Sequence, residues 1–123
     1  MDITREAFER LVAQALDDLP AEFAEKIANV EVVVEDQPTP QDLEKQGLPP
    51  GTLVLGTYRG VPLTGKSVFR GFEMPPRIVI FQRNLERIAN TPQSIIAEVR
   101  KTVLHEIAHH LGISDSRLRE LGY

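Results

Sequence analysis

Two histidines four positions apart, His105 and His109, flank a carboxylate at Glu106, and the chain continues His110-Leu111-Gly112-Ile113-Ser114-Asp115. On an α-helix, residues i and i+4 share a face, so both imidazoles can turn toward one ion at about 2.0–2.1 Å from each nitrogen. Glu106 stands about a hundred degrees further round the helix. It is displaced from the ligand pair yet near enough to hold a water on the ion, which is the station of a general base. A catalytic tetrahedral zinc site takes three protein ligands and leaves one position open. The helix cannot supply the third ligand by simply continuing, but Gly112 lets the chain turn back toward the ion, bringing Asp115 within reach. The pattern HExxHxxGxxD therefore points to Zn2+ held by His105, His109 and Asp115, with Glu106 as catalytic base. In a chain of this composition HExxH arises by chance about one time in a hundred, and the added Gly and Asp or His lower this to roughly a few in a hundred thousand. Two plainer readings stand beside it. The segment can be a solvated helix face ending at a glycine C-cap, and Asp115 can cap a short helix from Ser116 to Leu121.

The elements that must position these residues are legible from periodicity and caps. Thr91-Pro92 supplies an N-cap and a proline at the first helical position, and from there one helix runs to Leu111, about 30 Å long at 1.5 Å per residue. On it Ile96, Val99, Val103, Ile107 and Leu111 make an apolar stripe, with His105 and His109 nearly opposite; His110 falls toward the stripe's edge and reads as structural. Upstream, Phe8, Leu11, Val12, Ala15, Leu16 and Leu19 recur at helical spacing between a cap at Thr4 and a stop at Pro20. A second short helix follows to Ile27, then a β-branched strand over Val30–Val34. Thr39-Pro40 starts a helical turn closed by Gly47. Thr52–Tyr58 reads as a strand running into turns over Arg59–Gly65, and Arg77–Phe81 is the cleanest strand. A short helix covers Leu85 to Asn90. The expected fold is one α+β domain over residues 1–123, a small mixed sheet packed on helices and closed by the helix that carries the site.

Composition narrows the function. At 123 residues, with 41% hydrophobic and 26% charged residues, the chain has the profile of a soluble globular domain. A net charge of −4 supplies no field for phosphate backbones, so nucleic acid is an unexpected partner. With no cysteine, a metal must rest on His and carboxylate. The N-terminus interrupts its apolar residues with charges, unlike a signal peptide, and no apolar run approaches membrane-spanning length. We expect a cytoplasmic protein without a membrane partner; its oligomeric state is not legible.

The segment HEIAHHLGISDSRLRELGY, His105 to Tyr123, resembles the zincin superfamily in its extended metzincin-type form. It looks like the C-terminus of small bacterial minimal zincin-like proteins predicted to be metallopeptidases, and Tyr58-Arg59-Gly60-Val61-Pro62-Leu63 and Arg77–Phe81 resemble the same family. The resemblance implies His105, His109 and Asp115 at the metal-ligand positions and Glu106 at the base position. It implies hydrolysis of a peptide or protein substrate lying along an edge strand, here Thr52–Tyr58 or Ile78–Phe81. One departure stands out: the eight residues after Asp115 hold no methionine for a metzincin-type turn under the metal, so the site's floor is expected to be built differently. Tyr58 and Tyr123 are oxyanion donors by type but read more simply as packing residues, and Arg117 and Arg119 as solvated charges. The alternative function is a non-catalytic metal-binding or partner-binding module on a zincin-like fold.

Overall fold

The computed structural model describes residues 2–60 and 76–123. Thr4 opens the first helix, α1 (Arg5–Asp17), its hydroxyl accepting from the Ala7 amide at 3.1 Å. Pro20 then opens α2 (Ala21–Ile27). Strand β1 follows at Glu31–Glu35, one residue beyond the expected span. Helix α3 (Pro40–Lys45) starts on a capping box: Thr39 Oγ1 accepts from the Asp42 amide, and the Asp42 carboxylate accepts from the Thr39 amide. Strand β2 is Gly56–Arg59 and β3 is Arg77–Phe81. Helix α4 (Gln82–Ile88) follows β3 without a loop, three residues earlier than its apolar residues suggest. Helix α5 runs from Pro92 to Leu111 as expected and ends at Gly112, whose φ of 84° is the left-handed cap that glycine adopts without penalty. A sixth helix, α6 (Asp115–Glu120), closes the described chain. The turn expected over Val61–Gly65 lies outside the described residues.

The sheet is mixed, in the order β1-β3-β2, with β1 parallel and β2 antiparallel to β3. Paired on both sides, β3 buries Ile78 to Phe81 completely, which explains its unbroken apolar run. This corrects one expectation: Ile78–Phe81 is the central strand and has no free edge, whereas β2 pairs on one side only among the described residues.

Helix α5 is the hub. It packs against α1, α2, α4, α6 and two strands, and its buried face, Ile95, Val99, Val103, Leu104, Ile107 and Ala108, is wider than the single stripe expected. With Phe8, Phe23, Ile78, Ile80 and Leu85 this face makes one core. Leu104 and Ala108 join because they lie beside Val103 and Ile107 on a helix surrounded on several sides. Gly56 allows the closest approach: a Cβ there would stand 2.6 Å from Thr102 Cγ2 and 3.0 Å from the Val79 carbonyl oxygen. The absent side chain lets β2 lie against α5 one turn before His105. Among the described residues no helix is long and apolar enough to cross a membrane.

Candidate active site

The last two turns of α5 form one wall of an open cleft of about 600 Å3, and β2 with the end of α3 forms the other. Glu106, His109 and His110 line the first wall; Thr57, Tyr58, Arg59 and Asp42 line the second. His105 sits half-buried one turn before His109 and does not line the cleft.

Glu106 is largely enclosed, its side chain 19% exposed. Burial raises its pKa above the ordinary carboxylate value, and the charge of His109 opposes this only in part. A carboxyl group shifted this way is a better proton acceptor near neutral pH than a solvated one. His110 Nε2 lies 3.3 Å from Glu106 Oε2. Burial, and then the charge of His109, lower the His110 pKa. Burial thus disfavours the charged form of each group. The His110 ring also stacks on Tyr58, with centroids 4.3 Å apart and planes 9° from parallel.

The second wall is held by Arg59. Its guanidinium donates twice to Glu35, at 2.7 and 3.0 Å, and twice to Asp42, at 3.0 and 2.7 Å. Burial pushes the Asp42 pKa up, but hydrogen bonds from Arg59 and Thr39, with the Arg59 charge, outweigh it and leave the carboxyl below its ordinary range. Hydrogen bonds from Arg59 to Glu35 and then Asp42 hold the guanidinium still more firmly protonated. Gln46 donates to Thr57 Oγ1 at 2.6 Å, tying the end of α3 to β2.

Tyr58 packs against the core, as its residue type suggests, and with His110 it also lines the cleft. Tyr58 joins the cleft only through tertiary packing. For His110 a signal existed: it is four residues from Glu106, which puts the two on one face. Asp115 is exposed at the first position of α6. The cap of that helix is Ser114, whose hydroxyl accepts from the Arg117 amide at 3.2 Å, so Asp115 is not the N-cap. Arg117 is paired: it donates to Glu22 at 2.7 Å and to Glu120 at 2.9 Å, linking α6 to α2. Tyr123 packs on the core.

Residues 27–123 match the zincin-like metallopeptidase family. The chain belongs to that family. The structure is also similar to that of a conserved hypothetical protein from Thermus thermophilus, at 28% identity and a TM-score of 0.57, over 88% of this chain and 94% of that one. No curated protein matches.

Zinc is the metal this family implies. Among the described residues no three His, Cys, Asp or Glu side chains are grouped so as to hold an ion. The donor chemistry nevertheless fits. Two imidazoles stand at i, i+4 on a regular helix, neither engaged in a hydrogen bond or ion pair among the described residues, and an exposed carboxylate lies three residues past the left-handed glycine that ends that helix.

Proposed function

We propose that the chain is a zinc-dependent metallopeptidase, with His105, His109 and Asp115 holding the ion and Glu106 serving as general base. The observation that carries the reading is the placing of Glu106. It is enclosed, shifted toward neutral pH, set between the two i, i+4 histidines, and faces an open cleft bounded by an edge strand. When bound, zinc supplies Lewis acidity at the scissile carbonyl and makes water a stronger acid. The remaining steps fall to the chain's own groups. The outer edge of β2, unpaired among the described residues, offers backbone donors and acceptors to an extended peptide. Glu106 takes the proton of the attacking water and returns it to the leaving nitrogen. Tyr58 and His110, stacked face to face, line the cleft beside the carboxyl group.

The second reading is a metal-binding or partner-binding module without turnover, favoured by the separation of Asp115 from the histidine pair. Zinc content and hydrolysis, measured on the same preparations, separate the two. The wild type is expected to retain about one zinc per chain after dialysis and to cleave members of a broad peptide mixture. Glu106→Gln is expected to keep the zinc and lose cleavage, since the residue serves the water and not the ion. His105→Ala is expected to lose both. Zinc retention with no cleavage in wild type favours the module, and retained cleavage in Glu106→Gln removes Glu106 from the mechanism.

A further inference from the structure

Three cations line the cleft, Lys45, Arg59 and Arg77, and among the described residues only Arg59 forms an ion pair, with Glu35 and Asp42. Arg77 is half-buried at the start of β3, directly opposite Arg59 in the antiparallel register. Like charges opposite one another on a sheet destabilise it unless each is compensated. Arg59 is compensated twice; Arg77 makes no ion pair among the described residues. Glu31, its neighbour in the parallel register with β1, is exposed and stays unpaired to it. Lys45, on the last turn of α3, also has no acidic partner among the described residues, and the adjacent Gln46–Thr57 hydrogen bond holds it at the cleft.

We propose that Lys45 and Arg77 form a carboxylate-binding subsite, so that the cleft takes peptides bearing an anionic group close to the bond that Glu106 faces. This rests on the peptidase reading for the peptide, though not for the subsite. A guanidinium fork matches a carboxylate in two parallel hydrogen bonds, and the lysine adds a mobile point charge. The carboxylate comes either from an Asp or Glu side chain or from a peptide's free C-terminus. The chain's net charge of −4 makes the preference diagnostic, because undirected electrostatics favours cationic peptides.

Nuclear magnetic resonance titration of the isotope-labelled full chain, metal-free and zinc-loaded, tests this without requiring turnover. The probes are acetyl-Ala-Glu-Ala-amide, the neutral acetyl-Ala-Gln-Ala-amide, and acetyl-Ala-Gln-Ala with a free C-terminus. At least one carboxylate peptide is expected to bind about fivefold more tightly than the neutral one, the winner identifying the source, with shifts at Lys45 and Arg77. Lys45→Gln and Arg77→Gln should each reduce that preference and Arg77→Lys should restore part of it, with thermal melts reporting folding. If Arg77→Gln does not fold, the exposed Lys45→Gln decides. Equal affinity for all three peptides, no binding by any, or a preference untouched in the folded variants overturns the subsite. Carboxylate preference in a chain that neither holds zinc nor cleaves peptides overturns the peptidase reading alone. Cleavage dependent on Glu106, without carboxylate preference, overturns the subsite alone.

Discussion

The two walls of the cleft divide their polar chemistry in opposite ways. On the β2–α3 wall, Arg59, Glu35, Asp42 and Thr39 spend their hydrogen bonds on one another. On the α5 wall, His105 and His109 make no hydrogen bond or ion pair among the described residues, and the Glu106 carboxyl lies 3.3 Å from His110 Nε2. A satisfied network is rigid and supplies shape; groups left without partners in a partly dry site are available to a ligand. The first wall fixes where the second one's chemistry happens.

If that division holds, breaking the first wall costs stability and leaves metal binding intact. Arg59→Met removes the cation from Asp42, whose side chain is only 8% exposed, and strands a carboxylate there. The loss is about 2–3 kcal/mol, less than for a fully buried pair because Arg59 itself reaches water. Denaturant melts measure it, with zinc content determined on the same protein. A variant with unchanged stability and lost zinc breaks the comparison, since Arg59 then serves the ion's site more than the fold.

The same division explains what the sequence made legible. The α5 wall is built from neighbours four apart on one helix, with a threonine–proline start and a glycine stop, so its residues and their shared face follow from local spacing. The Arg59 pairs join residues 17 and 24 positions apart, and no local pattern announces them. Strand lengths failed for a related reason. The segment 52–58 is β-like throughout, but β3 passes straight into α4 at Gln82, so the regular ladder begins only at Gly56. The Leu55 carbonyl still accepts from the Phe81 amide, and that of Val54 accepts from the Asn84 side chain, so the strand's upstream end is tied down by a helix. Asp115 was the hardest to read. Its distance from the histidines depends on how α6 docks through Arg117 and Glu22, a contact 95 residues apart in sequence.

A smaller effect sharpens the comparison through pH. The Asp42 pKa lies below its ordinary value of 3.8 in the folded chain, so its ionisation contributes stability that is complete above the unfolded value. That contribution is lost as pH falls through the lower folded value. Between about pH 4 and pH 2, Asp42→Asn should therefore show a shallower fall in melting temperature than the wild type. Parallel curves for the two proteins show that the carboxylate is not stabilised by its network.

The smallest expected effects on stability are at two adjacent residues, Ser114 and Asp115, which lie where fold and chemistry meet. Ser114 caps α6 through the Arg117 amide, so Ser114→Ala should lower stability by about 1 kcal/mol. Zinc affinity should stay unchanged, because a hydroxyl that accepts a backbone hydrogen bond is not the third ligand. Asp115 sits in the first turn, where its charge favours the helix dipole by only about 0.3–1 kcal/mol, so Asp115→Ala should melt almost like wild type. As a ligand, however, it should control zinc: affinity falls by orders of magnitude in Asp115→Ala and is largely kept in Asp115→His, where an imidazole replaces the carboxylate. Calorimetric titration of zinc into the variants, beside their melts, reads both axes at once. Affinity unchanged in Asp115→Ala would sink the three-ligand site and leave His105 and His109 as the only protein donors. Affinity lost in Ser114→Ala as well would mean that the cap holds Asp115 where the ion needs it, merging the fold's contribution with the ligand's.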